Sequence, residues 1–188
     1  FAEAADRLER LAEAMAAEPP QRQAEVLGQA ANAWLAAGYA ERAARIATLA
    51  VRLDPGGVEY YVDRAIAQAQ MGRVREARRD LDLALELAPE RADILALRAS
   101  AKRRMGEGPG ALADVERALR LMPDQPEALL ERGHLRREAG DRLGARADWR
   151  RLIRLMPGSP AAEEAARALE ALDLWLDRPE PQPTPQRR

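Results

Sequence analysis

Leu53-Asp54-Pro55 recurs along the chain as Leu87-Ala88-Pro89, Leu121-Met122-Pro123 and Leu155-Met156-Pro157. The prolines step by 34 residues each time (89 − 55, 123 − 89, 157 − 123). Two further series keep that register. Gly38, Gly72, Gly106 and Gly140 each precede their proline by 17 residues (55 − 38), and Ala43, Ala77, Ala111 and Ala145 each follow their glycine by 5 (43 − 38). Proline, glycine and alanine do different physical jobs, so a shared period marks a tandem repeat rather than a compositional bias. The units fall at 24–57, 58–91, 92–125 and 126–159.

Each unit reads as two antiparallel helices. The first runs up to the glycine, which takes the left-handed conformation that closes a helix C-terminus. The second runs on to the proline, which lacks the N–H needed to continue. Ala31 with Ala43, Ala65 with Ala77, Ala99 with Ala111 and Gly133 with Ala145 place small residues midway in both helices, where they allow close axial approach. Leu27, Tyr61, Leu95 and Leu129 recur, as do Leu53, Leu87, Leu121 and Leu155; both rows are expected in the repeating core. Unit 3 carries Glu107-Gly108-Pro109-Gly110 at its turn, which is expected to loosen or re-angle that hairpin, and unit 4 has Leu152 where the others have Ala50, Ala84 and Ala118.

The flanks are of three kinds. Residues 1–18 place Phe1, Ala5, Leu8, Leu11 or Ala12, and Met15 at three- and four-residue steps, the spacing of an amphipathic leading helix. Residues 160–177 read as a closing helix capped by Ser159, with Ala165, Leu169, Leu172 and Leu176 as its stripe and Trp175 beside it. Residues 178–188, with Pro179, Pro181, Pro183 and Pro185, have the composition of an extended tail.

Composition narrows the function. Hydrophobic residues are 47% but aromatics only 4%, which favours a helical Leu/Ala core over a sheet. A net charge of −1 argues against the broad phosphate neutralisation that drives nucleic-acid binding. Without cysteine there is no disulfide, zinc thiolate or thiol nucleophile. No apolar run approaches the roughly 20 residues that span a bilayer. Lys102 is the single lysine against 29 arginines (30 − 1), a bias that points to a GC-rich bacterial genome. A chain beginning at Phe1 has an N-terminus that was processed, engineered or cut from something longer; processing slightly favours a periplasmic over a cytoplasmic location, and the compartment itself is not fixed by these residues.

The glycine turn, the small residues and the closing proline resemble the tetratricopeptide repeat over residues 24–159, with Leu or Tyr in place of that family's early Trp. The resemblance implies an all-α, right-handed α-solenoid of helical hairpins flanked by the leading helix and a capping helix. It also implies that first helices line a concave groove for a peptide or helix of a partner protein. Carried over by position, the groove presents Asn32, Ile66, Ser100 and His134 in one row and Leu35, Ala69, Arg103 and Arg137 in another, with Arg104 beside them. Units 1 and 2 then offer mainly apolar and amide groups, whereas Arg103, Arg104, Arg137 and His134 suit an acidic segment through bidentate guanidinium contacts. The row Glu25, Glu59, Asp93 and Glu127 complements helix dipoles. Of the Lys and Asn set with which chaperone-binding relatives hold a terminal carboxylate, only Asn32 has a counterpart.

Catalytic chemistry finds little purchase. The one histidine, His134, and Ser100 occupy equivalent positions in units 3 and 4, so a Ser–His pair is conceivable, but nothing suggests an oxyanion hole. No His/Asp/Glu cluster has ligand spacing, and Gly106, Gly108 and Gly110 precede no Gly-Lys-Ser/Thr. The expectation is a non-enzymatic, cofactor-free protein-interaction scaffold. The alternative is a structural or self-assembling subunit using Phe1, Trp175 and the tail; monomer and homo-oligomer are not distinguished.

Overall fold

The computed structural model describes residues 1–176, with side chains as far as Leu174; the 178–188 tail and the Trp175 side chain lie outside the described residues. The helices are α1 (Ala2–Ala14), α2 (Pro20–Ala36), α3 (Ala40–Leu53), α4 (Val58–Gln70), α5 (Val74–Leu87), α6 (Ala92–Arg104), α7 (Gly108–Leu121), α8 (Pro126–Glu138), α9 (Arg142–Leu155) and α10 (Pro160–Leu176). No strand occurs among the described residues, and none of their helices is long and apolar enough to cross a membrane.

The 34-residue period governs the backbone. α4, α6 and α8 have 13 residues each and α3, α5, α7 and α9 have 14. Gly38, Gly72, Gly106 and Gly140 all adopt positive φ, between 76° and 86°, and the amide that follows each closes the helix behind it, as Tyr39 N does on Trp34 O at 2.9 Å. The unit 3 turn is not loosened. Gly108 and Pro109 fall inside the first turn of α7, where proline's missing N–H and fixed φ are harmless.

Consecutive helices pack pairwise into a solenoid. In addition α2 touches α4, α6 touches α8, and α8 touches α10, whereas α3, α5, α7 and α9 make no comparable contacts with one another. The array therefore curves toward its first helices, which line the inner face. Leu27, Tyr61, Leu95 and Leu129 are buried, together with the small residues Ala31, Ala43, Ala65, Ala77, Ala99, Ala111 and Ala145. In unit 4 the smallest residue meets the largest. A Cβ on Gly133 would lie 2.1 Å from Trp149 Nε1, and the indole that fills this space donates to Leu130 O at 3.2 Å. Leu87, Leu121 and Leu155, by contrast, are 42–47% exposed. They are not core. Each ends a second helix at the edge of the array, where only a short loop follows.

A helix packs on the repeats at each side. On α1, Ala5 and Ala12 face inward while Phe1 and Leu11 are exposed. Glu9 accepts from the Trp34 indole and from Arg42 Nε (2.9 Å), and the Arg42 guanidinium lies 4.0 Å over the Trp34 ring. Gln23 Nε2 donates to Ala12 O at 2.8 Å. On α10, Ser159 Oγ accepts from Ala162 N at 3.2 Å, Ala162, Ala165, Ala168 and Leu172 face inward, and Glu163, Arg167 and Glu170 face solvent. The outer face of α10 is thus polar.

Candidate functional site

The inner face carries the expected rows, unevenly exposed. Asn32 on α2, Arg104 on α6 and Arg137 on α8 are exposed; Leu35, Ile66, Ser100 and Arg103 are half-buried; His134 is buried. Between α4 and α6 lies a narrow crevice of about 60 Å³ lined by Ile66, Ala69, Leu97, Ser100 and Arg104. Arg104 spans it, its Nη1 donating to Ala69 O at 3.3 Å.

The C-terminal half is largely self-paired. Arg103 donates to Glu131 at 2.7 Å and to Glu138 at 3.1 Å, so its guanidinium already holds two carboxylates. His134 packs edge-on to Trp149 at 5.3 Å beneath α10, with Nε2 3.3 Å from a Glu164 oxygen. Neither ring nitrogen is hydrogen-bonded, so His134 and Ser100 are not joined by a hydrogen bond. Burial, aided by the charge of Arg103, pushes the imidazole below its ordinary pKa. Arg137 lies over the Trp149 ring at 5.9 Å. With Arg142, Ala171 and Leu172 it lines a hollow of about 290 Å³.

The N-terminal half is open and acidic. A pocket of about 380 Å³ between α2 and α4 is lined by Glu25, Gly28, Gln29, Asn32, Glu59, Tyr60 and Asp63. The apolar and amide character expected here is thus overlaid by three carboxylates. Glu59 is held by Arg91 at 2.6 Å. Asp63 is only 9% exposed. Burial pushes its carboxyl up to about 6; a hydrogen bond from Asn32 opposes that and the charge of Glu59 adds to it. Asp63 lies outside the glycine, alanine and proline columns that mark the repeat. Its own column, Gln29, Asp63, Leu97 and Glu131, mixes amide, apolar and acidic residues and shows no period.

One further column pair does keep the repeat's period. Arg64 pairs with Asp80, Arg98 with Asp114 and Arg132 with Asp148, each with two contacts of 2.6–2.9 Å and each 16 residues apart (80 − 64). Lys102 joins Asp114 at 2.8 Å and Arg136 joins Asp148 at 2.7 Å. These bridges tie first helix to second in units 2 to 4. Unit 1 has Ala30 and Ile46 in their place.

Residues 31–102 match the family model of the tetratricopeptide repeat. Residues 31–102 are thus tetratricopeptide repeat sequence, and the chain as a whole has the fold of such repeats. Its fold resembles that of TTC0263, a thermophilic protein of this type from Thermus thermophilus, at 22% identity and a TM-score of 0.71 over 90% of this chain and 91% of that one. It resembles YrrB, described as having an unusual peptide-binding site, at 20% identity and a TM-score of 0.63 over 93% and 86%. The second such domain of human RPAP3, solved in complex with the HSP70 peptide SGPTIEEVD, matches at 26% identity and a TM-score of 0.60 over 62% and 98%. No curated protein matches the sequence. In this α-solenoid the inner face thus combines an open acidic end, a central apolar crevice and an arginine-bearing end.

Proposed function

We propose that the protein is a non-enzymatic scaffold that holds an extended peptide or a helix of a partner protein along its inner face. The observation that carries this reading is the placement of two openings, the α2/α4 pocket and the α4/α6 crevice, on the side formed by the first helices. Rigid hairpins hold these openings in place, so the ordering cost on binding falls mainly on the partner. Arg104 and Arg137 offer guanidinium groups to acidic residues of that partner. A peptide complex and a described peptide-binding site on similar folds support the reading by analogy.

A second reading, assembly with further copies or a larger complex, is favoured by the exposed edge row of Leu87, Leu121, Met122, Leu155 and Met156. One pull-down from source extract separates the two. An Arg104→Glu, Arg137→Glu variant is expected to lose partners that the parent captures, while Leu121→Glu, Leu155→Glu keeps them; both variants stay helical by circular dichroism. Arg103 is left intact because reversing it would strand Glu131. The opposite pattern, with partners lost only by the edge variant, sinks the groove and favours assembly.

A further inference from the structure

The repeat supplies its own control for the acidic pocket. Asp63 and Glu131 occupy the same position two units apart (131 − 63 is twice 34), and both carboxylates are buried on the inner face. At Glu131 the charge is answered by Arg103, from the first helix of the preceding unit, at 2.7 Å. The residue that stands to Asp63 as Arg103 stands to Glu131 is Leu35 (103 − 68). The guanidinium is therefore missing where the carboxylate is kept.

Three observations converge on what is absent. Among the described residues no ion pair reaches Asp63; the neutral Asn32 amide is its hydrogen-bond partner, although the side chain is nine-tenths buried. No basic residue lines the pocket. The Tyr60 ring forms one wall, seated in the notch left by Gly28, where an added Cβ would come within 2.7 Å of the ring, and a tyrosine face attracts a cation. Other units have Val62, Ala96 and Leu130 at the position of Gly28.

Resting on the groove reading above, we propose that this pocket receives an arginine side chain of the bound partner, its guanidinium taking the place at Asp63 that Arg103 takes at Glu131, with Glu25 and Glu59 at the rim. The partner then presents arginine toward α2 and α4 and acidic groups toward α6 and α8, which fixes its direction along the groove.

The test uses the whole chain and a random peptide library displayed on phage, with N-acetyl-arginine amide as a minimal probe followed by NMR. Enriched peptides are expected to share an arginine, and replacing it is expected to weaken binding about tenfold or more, the effect of one charge-assisted contact. Asp63→Asn and Leu35→Arg, the latter filling the vacancy from within, are each expected to weaken the same peptides by a similar factor, while Arg137→Gln spares the arginine requirement. The probe is expected to shift the Tyr60 and Asp63 resonances of the parent and not those of Leu35→Arg. Peptides without arginine that still compete along the inner face and are lost in Ile66→Glu overturn the arginine assignment and leave the groove standing. Peptides insensitive to Ile66→Glu, Asp63→Asn and Leu35→Arg alike overturn both. A probe that leaves Tyr60 and Asp63 unmoved at millimolar concentration overturns the arginine site outright.

Discussion

The two halves of the array solve the same packing problem with different chemistry. In units 3 and 4 arginine stitches every level. Asp114 and Asp148 each hold two cations, Arg117 reaches back to Pro89 O at 2.7 Å and Arg151 to Asp124 at 2.6 Å, and Arg103 clamps Glu131. In units 1 and 2 the residues equivalent to Arg117 and Arg151 are Leu49 and Leu83, the column of Lys102 and Arg136 holds Trp34 and Gln68, and Asp63 has no counter-charge among the described residues. Unit 1 dispenses with the buried pair altogether and relies on α1. Stability by internal pairing consumes groups that recognition needs, so the half with fewer internal pairs keeps more of its inner-face charge open, while in the stitched half Arg104 and Arg137 stay exposed.

The largest expected effect tests the stitched half. Trp149 is fully buried and occupies the space that Gly133 vacates, so Trp149→Ala should destabilise the protein by about 3–5 kcal/mol in chemical denaturation. Gly133→Ala should not rescue it fully, because a methyl replaces little of an indole. A loss under about 1 kcal/mol would mean that the hairpin collapses onto the gap and that the Gly–Trp exchange is incidental.

The buried pairs give a somewhat smaller and more diagnostic effect. Asp80→Ala leaves the half-buried Arg64 without its carboxylate and should cost about 2–3 kcal/mol, since stranding a largely desolvated charge is worse than removing a pair. Arg64→Ala, Asp80→Ile installs in unit 2 the solution that unit 1 already uses, and should recover most of that loss. If the double variant is as unstable as the single one, the apolar solution of unit 1 depends on the Glu9–Trp34–Arg42 cluster and cannot be transplanted.

Legibility followed what each residue answers to. Gly38, Gly72, Gly106 and Gly140 were readable because a positive φ restricts the choice to glycine whatever the surroundings, and the closing prolines because they lack a donor. The Leu87, Leu121 and Leu155 row misled, since a leucine repeats equally well at a core position and at a half-covered helix end. The groove rows lie on first helices by their repeat position, but whether a side chain is available depends on neighbours: His134 is covered by α10, and Arg103 is held by residues 28 and 35 positions away (131 − 103, 138 − 103). Asp63 shows the limit most clearly. A carboxylate in a column of Gln29, Leu97 and Glu131 gains meaning only once Arg103 is seen on Glu131 and Leu35 is seen to stand in its place.

Asp63→Asn offers the smallest and sharpest test of the difference between the halves. A carboxyl raised to about 6 in the folded protein binds its proton more tightly there than in the unfolded chain, where it titrates near 4. Folding is therefore favoured by Asp63 at acid pH, and that contribution is lost as pH rises from about 4 to about 6. The groups facing it are Glu25, Gln29 and Asn32 from α2 and Glu59 and Tyr60 from α4, with Arg91 engaged by Glu59 and Asp93, so no cation is at hand to reverse the sign. A shift of about two units corresponds to at most about 3 kcal/mol, and an open pocket screens part of it. Asp63→Asn should accordingly stabilise the protein by about 1–2 kcal/mol at pH 7.5 and leave it nearly unchanged at pH 4, read from urea midpoints at both values. His134 has the opposite sign: its depressed pKa removes stability as pH falls below the unfolded value near 6.5, which distinguishes the two ends of the groove in a single pH series. A variant that gains stability at neutral pH while losing arginine peptides would mark Asp63 as a residue kept at a cost to the fold. Equal stability of parent and variant across the series would mean that the pocket already neutralises its own charge, and the two halves would then differ in shape alone.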